Sequence, residues 1–294
     1  MSEMKSKSSA LLMLVLVAVM WSSSGALIKA IVWSPLALCS ARSLIAALTM
    51  YFLLGRDFKF RSLTKTHWLA GACYGALCLT YIFAMKLTTA ANAIVLYYTA
   101  PIWVACLAPI FVKERVTKRD FLFMILIFGG VVIFFFDGLT TKGILGNLIA
   151  LTGGMFYGLQ AIFMRKLKDN RPIDALILGN ILAFVIGVWA IQAPWPSPTG
   201  LLFVVILGIF QLGLPSYLYS LTISRVTSLE LVLVTMLEPI LCPLWVYIFI
   251  GEKPGRWAFL GAAVVITTVT WWSLLRALED RKKPTALAQA GLGS

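Results

Sequence analysis

Apolar runs of about twenty residues alternate with short polar connections along nearly the whole chain. A helix that crosses a bilayer needs about twenty mostly apolar residues. No segment shows the two-residue alternation of a half-buried strand. The pattern therefore predicts an all-α integral membrane protein with ten transmembrane helices. The predicted spans are residues 9–29, 35–55, 67–85, 90–112, 119–137, 143–164, 173–193, 199–221, 229–250 and 256–276.

One stretch of the chain occurs twice, at residues 86–121 and 224–259. Each copy has an apolar helix with a proline about midway, a glutamate at its far end and a second apolar helix. A match at one fixed offset indicates an internal duplication. The offset pairs Tyr81 with Tyr219, Thr89 with Thr227, Pro101 with Pro239 and Glu114 with Glu252. We predict a first five-helix repeat in residues 1–138, a second in residues 139–278 and a disordered cytoplasmic tail in residues 279–294.

The composition supports a membrane protein. Hydrophobic residues make up 60% of the chain, and the mean hydropathy is +0.91. Charged residues make up 13%, about half the usual share for a soluble domain. The net charge of +13 comes from basic residues in short loops, which leaves no continuous basic face to follow phosphates. We therefore predict membrane lipid and a small-molecule substrate as partners, and no nucleic acid.

The placement of Lys and Arg predicts the orientation. Cytoplasmic loops of membrane proteins are enriched in these residues, and most of the 25 fall on one side if the N-terminus is cytoplasmic. We predict a multi-pass protein of the cell inner (cytoplasmic) membrane with both termini in the cytoplasm. Five spans per half is an odd number, so the second half enters from the opposite side. Such inverted repeats are typical of secondary transporters, with the substrate site near the midplane.

Several motifs resemble one known family. They are WSSSGALIK from Trp21, ARSLIAAL from Ala41, TTAANAIVLYYTAPIWVACLAPIFVKE from Thr88 and LEPILCPLWVYIFIGE from Leu237. Together they resemble the drug/metabolite transporter superfamily, in its ten-helix EamA-type branch. The resemblance implies two five-helix repeats around a central cavity and transport by alternating access. Members move amino acids, other small metabolites, cations or toxic compounds, often outward, and no local signature selects a subgroup.

Two charged residues lie within apolar runs. Glu238 is the only acid deep in one, and Arg42 is the only base well inside one. Intramembrane charges are costly and face the interior or a wet cavity. Glu238 fits contact with a cationic group or proton coupling, and the alternative is a structural acid at a helix end. Arg42 fits a substrate carboxylate, and the alternative is snorkelling to the outer interface.

Aromatic and polar residues within the spans predict the cavity wall. Deep tyrosines need partners for their hydroxyl groups, and a wall built from them suits a small, partly apolar organic molecule. It would also suit a quaternary ammonium group through cation–π contact, and ordinary core packing is the alternative for each residue. The candidates are Trp21, Ser24, Tyr74, Cys78, Tyr81, Tyr98, Tyr157, Gln160, Gln211, Tyr217, Glu238 and Trp245.

Three prolines within the spans predict gating or kink positions. A proline inside a helix leaves the carbonyl four residues earlier without its donor. Pro101, Pro215 and Pro239 therefore free the carbonyls of Tyr97, Gln211 and Thr235. In a bilayer such carbonyls are tolerated only where protein or water satisfies them, so these points are predicted to face the cavity or a helix junction. The alternative is a static kink.

The sequence favours a transporter over an enzyme. His67 is the only histidine and is expected to be solvated, and no metal, phosphate-binding or nucleophile–base pattern occurs. We predict no catalytic residue, no metal and no cofactor. The predicted function is secondary active export of small organic metabolites, with amino acids or amino-acid-like zwitterions favoured because Glu238 and Arg42 provide both charges. The alternative is transport of organic cations, quaternary ammonium compounds or drugs. An intramembrane enzyme or a receptor is a third class. Two questions stay open: whether transport is coupled to protons, and whether the protein is a monomer or a homodimer.

Overall fold

The computed structural model describes residues 2–114, 116–139, 141–192, 194–241 and 256–290. Within these ranges every regular element is helical. The α-helices are α1 (Ser2–Trp21), α2 (Ser24–Ala30), α3 (Pro35–Leu53), α4 (Lys65–Leu87), α5 (Ala90–Tyr97), α6 (Ala100–Phe111), α7 (Lys118–Phe134), α8 (Ile144–Lys166), α9 (Pro172–Gly187), α10 (Pro198–Ile206), α11 (Leu214–Thr222), α12 (Ser228–Thr235) and α13 (Arg256–Ala290). Short 3-10 turns lie at Phe60–Ser62, Phe136–Gly138 and Val188–Ala190, and a π-helical segment spans Leu207–Gly213.

Six helical stretches in the described ranges are long and apolar enough to cross a membrane. They coincide with six of the predicted spans. Much of the predicted span 229–250 lies outside the described residues, so the count of ten stays a prediction. The six stretches are Pro35–Leu53, Lys65–Leu87, Ala91–Phe111, Ile144–Lys166, Pro172–Ala190 and Pro198–Thr222.

Predicted single spans are interrupted near the middle of the bundle. The first span breaks at Ser22 and Ser23, whose hydroxyls donate to the carbonyls of Val19 and Met20 at 2.6 and 2.8 Å. Such bonds compete with the helical ladder. The fourth span breaks between α5 and α6, which places Pro101 in the first turn of α6. Proline is tolerated there because the N–H it lacks would have no helical partner.

Contacts between the two halves come in matched pairs. Helices α3 and α9 pack together, as do α7 and α13, and each pair consists of corresponding spans of the two halves. Helix α4, in the third span of the first half, packs against α8, in the first span of the second half. The reverse contact also occurs, because α11, in the third span of the second half, packs against α1, in the first span of the first half. This exchange is the pattern that a two-fold relation between the halves requires.

Glycines allow the closest of these contacts. A Cβ atom at Gly179 on α9 would lie 2.5 Å from the carbonyl oxygen of Gly71 on α4. On α13, a Cβ atom at Gly261 would lie 2.4 Å from the backbone nitrogen of Phe134. Small residues let helix backbones approach closely in membrane proteins. These glycines therefore set helix spacing within the chain.

Two features differ from the sequence-based expectations. Helix α13 continues to Ala290, so residues 279–290 of the expected disordered tail are helical. The prediction that His67 is solvated is wrong, because the residue is 1% exposed. Its Nδ1 accepts hydrogen bonds from the backbone N–H and the hydroxyl of Thr64, and its Nε2 donates to the carbonyl of Asn170 at 2.9 Å. As the third residue of α4, His67 completes a capping box at the start of that helix.

Candidate functional site

A cavity lies where the two halves meet, and both halves supply its wall. Its volume is about 50 Å³, enough space for a few waters. The wall consists of Trp21, Arg42, Tyr74, Leu77, Cys78, Tyr81, Tyr97, Tyr157, Gln160, Leu176, Gln211, Leu212, Ser216, Tyr219 and Glu238.

Most residues predicted for a cavity are on this wall. On α4, Tyr74, Cys78 and Tyr81 recur at the spacing of one helix face. On α8, Tyr157 and Gln160 are three positions apart and also share a face. The predicted residues brought together on the wall are Trp21, Arg42, Tyr74, Cys78, Tyr81, Tyr157, Gln160, Gln211 and Glu238.

Other predicted residues are not part of the wall. The hydroxyl of Ser24 lies 3.0 Å from that of Tyr81 and is buried behind it. Tyr98 lies behind Glu238, and Tyr217 is partly buried against the hydrophobic core. Trp245 lies outside the described residues.

The three prolines lie where the helical geometry changes, Pro101 and Pro239 at breaks and Pro215 just after the π-helical segment. Pro101 and Pro215 fall in the first turns of α6 and α11, and Pro239 follows Glu238. Because Pro101 and Pro215 both lie in the first turn of a helix, where an N–H has no helical partner, the expectation that they free the carbonyls of Tyr97 and Gln211 is not met, although both of these residues line the cavity. The third carbonyl, that of Thr235, lies 3.4 Å from the hydroxyl of Tyr98.

Sequence reasoning missed Tyr97, Ser216, Tyr219 and three leucines of the wall. The duplication pairs Tyr219 with Tyr81, so applying the repeat to each candidate would have found it. The π-helical segment ahead of α11 uses more residues per turn than an α-helix. On α11 the wall is formed by Ser216 and Tyr219, and the predicted Tyr217 is off it.

One corner of the cavity holds the acid. We call Glu238, Tyr98 and Thr235 the acid corner. The hydroxyl of Tyr98 donates to Oε2 of Glu238 at 2.7 Å. The hydroxyls of Tyr157 and Thr235 are hydrogen-bonded to each other. These contacts tie α5 and α8 to the end of α12, where the helix breaks before Glu238.

Tyrosine rings surround the acid corner. The ring of Tyr97 stacks on that of Tyr157 at 5.4 Å between centroids. It also meets the rings of Tyr81 and Tyr98 edge-on, at 5.3 and 5.5 Å. Tyr97 is therefore the centre of a four-tyrosine cluster that presents both ring faces and hydroxyl groups near the carboxylate.

A second corner holds the base. We call Arg42, Gln211 and Trp21 the base corner. Arg42 is 2% exposed, which contradicts snorkelling to the interface. Its Nη1 donates to Oε1 of Gln211 at 3.4 Å, and Nε2 of Gln211 donates to the carbonyl of Trp21 at 3.5 Å. Both distances exceed the usual range for N–H···O bonds. The guanidinium is therefore weakly held by the protein.

Unpartnered donors mark the base corner. The Nε atom of Arg42 and the Nε1 atom of Trp21 are buried without a hydrogen-bond partner in the described part of the chain. Leaving a buried donor unpaired costs about 1–3 kcal/mol, and more for a charged group. Two buried donors in this corner therefore lack an acceptor.

The chain was compared with known proteins. A family model described as the EamA-like transporter family matches it twice, over residues 8–136 and 144–274. Solute carrier family 35 member G1 of Mus musculus is 25% identical over 232 residues, covering 70% of this chain and 61% of that protein. An uncharacterized transporter in the sor 3' region of Acidianus ambivalens is 28% identical over 96 residues, covering 31% of this chain and 38% of that protein. The match therefore spans less than two thirds of either relative.

A solved crystal structure has a similar fold. It superposes with a TM-score of 0.78 at 18% sequence identity, covering 92% of this chain and 98% of the other. At this identity the likeness concerns the fold alone. The two family matches, one in each half, agree with the duplication and confirm the resemblance to the drug/metabolite transporters. The chain belongs to the EamA-like transporter family, whose members are membrane transporters rather than enzymes.

Proposed function

We propose that the protein is a secondary active transporter of small organic metabolites, and that amino acids or amino-acid-like zwitterions are its substrates. It works by alternating access through the central cavity, between two inverted five-helix repeats that comprise ten transmembrane helices. It resides in the cell inner membrane with both termini in the cytoplasm. Export is the expected direction, on the resemblance to the family.

The observation that carries the substrate class is the presence of both charges in one cavity. Arg42 and Glu238 line the same wall, yet they form no ion pair with each other within 4.0 Å in the described part of the chain. A buried charge that lacks a partner is strongly unfavourable. A zwitterion places its carboxylate against one residue and its ammonium against the other, and so supplies both missing partners.

The uncharged wall supports a small solute with an apolar part. Leu77, Leu176 and Leu212 alternate with the tyrosines, and pockets for small molecules typically combine apolar lining with a few placed polar groups. Because the cavity holds only a few waters, side chains must move to admit an amino acid. Such movement is part of an alternating-access cycle.

The second candidate is an organic cation, and the tyrosine cluster favours it. The four rings of the cluster make contacts with centroid distances of 5.3 to 6.4 Å beside Glu238. Tyrosine faces bind ammonium groups through cation–π attraction, worth about 2 kcal/mol when desolvated. This candidate leaves the guanidinium of Arg42 without a charged partner and the indole N–H of Trp21 unpaired, so we place it second.

Counterflow with purified protein in proteoliposomes separates the two candidates. The vesicles are loaded with an excess of one unlabelled compound, and uptake of the same labelled compound is followed. The panel contains amino acids, the amino alcohols that lack their carboxylates, choline and neutral metabolites. We expect counterflow with one or more amino acids and none with the matched amino alcohols. A response to cations alone would replace the first candidate with the second.

A further inference from the structure

A second cluster of charged residues lies at the end of the bundle where α6, α8 and α11 finish and α12 begins. Nε of Arg165 lies 2.9 Å from Oε1 of Glu114. Nη1 of Arg165 donates to the carbonyl of Ile223 at 2.7 Å, and the backbone N–H of Ser228 donates to Oε2 of Glu114 at 2.9 Å. We call these four residues the Glu114 cluster.

The ion pair at the centre of the Glu114 cluster is partly buried, and both of its side chains have further hydrogen-bond partners. The side chains of Glu114 and Arg165 are 19% and 18% exposed. Both oxygens of the carboxylate are used, and the guanidinium binds a carbonyl as well. Removing one partner from such a pair leaves the other charge poorly solvated, and this costs more than the loss of an exposed pair.

In the described ranges, the ion pair and the hydrogen bonds of Glu114 cross between the halves. Glu114 follows α6 in the first half, whereas Arg165, Ile223 and Ser228 belong to the second. A further crossing contact lies beside it, because Nζ of Lys7 on α1 is 2.9 Å from Oε1 of the fully buried Glu230 on α12. The first turn of α12 is therefore held by two charged residues of the opposite half.

The cluster lies between the cavity and this end of the bundle. Arg165 follows Gln160 of the cavity wall by five positions on α8, about 7–8 Å along the helix axis. Ser228 begins α12, the helix that leads to Glu238. The acid corner holds the far end of α12 through Tyr98, and the Glu114 cluster holds its near end.

We infer that Glu114 and Arg165 take part in the transport cycle. Their ion pair closes the cavity on the side of the loops at 54–64 and 167–171. This inference rests on the proposed function, since alternating access requires each side of the cavity to close in turn. Opening that side separates the halves, and the ion pair of these two side chains is the charged contact nearest the cavity wall along α8 that must break. Loss of either one shifts the population towards the state open on that side.

The chain offers a matched control on the same end of the bundle. Arg171 and Asp57 form a second arginine–carboxylate pair, with Nη1 2.7 Å from Oδ2. Their side chains are 41% and 53% exposed, and neither residue is on the cavity wall. This pair also joins the first half to the second, but an ion pair this exposed contributes little to stability. Asp57→Asn therefore removes a crossing carboxylate that adds little to the proposed closure.

The test follows alkylation of Cys78, a native thiol on the cavity wall. The other four cysteines are first removed by Cys39→Ala, Cys73→Ala, Cys106→Ala and Cys242→Ala, so that Cys78 is the only thiol. A membrane-impermeant maleimide is then applied to inside-out and to right-side-out vesicles. We expect Glu114→Gln and Arg165→Gln each to raise the labelling rate about tenfold from one side only, a typical coupling effect. The double variant should label no faster than the faster single variant, because both changes break the same contact. Asp57→Asn should label as the parent does.

Three results would overturn the inference. They are labelling rates within twofold of the parent, an equal increase from both sides, or the same increase in Asp57→Asn. If the four-alanine variant does not fold, the Cys78 peptide is followed by mass spectrometry in the native cysteine background. Labelling does not depend on substrate. A protein that shows counterflow but unchanged labelling refutes the closure alone, whereas changed labelling without counterflow of any compound refutes the transport proposal alone.

Discussion

The hydroxyl of Tyr98 donates a 2.7 Å hydrogen bond to Oε2 of Glu238, and this bond joins the two halves of the molecule at the cavity. Tyr98 lies at the break between α5 and α6, and Glu238 lies at the corresponding break after α12. The duplication pairs Glu238 with Ala100, so only the second half supplies an acid here. The binding surface is therefore chemically asymmetric although the halves are built alike.

Removing the Tyr98 hydroxyl tests whether it positions the carboxylate. We expect Tyr98→Phe to raise the KM for the transported compound at least about tenfold, because a hydrogen bond to a charged group contributes about 1.5–3 kcal/mol. Tyr217→Phe is the control, since this tyrosine is not on the wall. Initial uptake rates in proteoliposomes measure both. Equal KM values in the two variants would show that Tyr98 only packs.

Replacing Arg42 tests the base corner. Arg42→Gln removes the positive charge that faces the cavity, so counterflow of amino acids should fall at least tenfold, the loss expected for a charge-assisted hydrogen bond. Arg42→Lys keeps the charge but loses the planar set of donors, and partial activity is expected. If Arg42→Gln transports amino acids as the wild type does, the carboxylate of the substrate does not bind there.

Helix spacing is tested at Gly179. A Cβ atom there would lie 2.5 Å from the carbonyl oxygen of Gly71, whereas one at Gly129 would meet no atom within 4 Å. We expect Gly179→Ala to destabilise the protein by about 1–3 kcal/mol through overpacking, and Gly129→Ala to change its stability little. Thermal unfolding of both variants in detergent checks this. Equal melting temperatures would mean that α4 and α9 separate at little cost.

The Asp57–Arg171 ion pair, which lies outside the membrane-spanning helices, predicts that part of the thermal stability depends on pH. The hydrogen bond and charge of Arg171 hold the pKa of Asp57 below its ordinary value of 3.8. The pair therefore stabilises the folded state fully above that ordinary value, and this contribution is lost as the pH falls through the lowered pKa. The difference in Tm between wild type and Asp57→Asn should be equal at pH 7 and pH 5 and smaller at pH 3. A difference that already shrinks between pH 7 and pH 5 would assign the effect to another group.

Polarity and duplication together predict much of the site. Glu238, Arg42 and Gln160 are costly in an apolar run, and that cost can be recognised from the amino-acid sequence alone. The duplication adds Tyr219 through Tyr81. These signals are informative because the bilayer core has no water to hydrogen-bond a polar group, so such a group is costly there unless the protein satisfies it.

Other features depend on local geometry that the apolar pattern does not encode. Tyr217 is predicted because it is an aromatic within a span, and the structure places Ser216 and Tyr219 of α11 on the wall instead, after a π-helical segment at 207–213. His67 lies at the end of a predicted span, where solvent exposure is the ordinary expectation. It is buried because the chain near Asn170 packs over it, a tertiary contact that the apolar pattern does not indicate.

The most direct test of the transport account is counterflow in proteoliposomes with wild type, Glu238→Gln and Asp57→Asn side by side, using the amino acid that gives the largest wild-type signal. Glu238→Gln keeps the shape of the side chain and an acceptor for Tyr98 but removes the charge. We predict a transient overshoot of labelled substrate in wild type and Asp57→Asn, and loss of the overshoot in Glu238→Gln at equal reconstituted protein. Wild-type counterflow in Glu238→Gln, or no counterflow of any amino acid in wild type, would contradict the account.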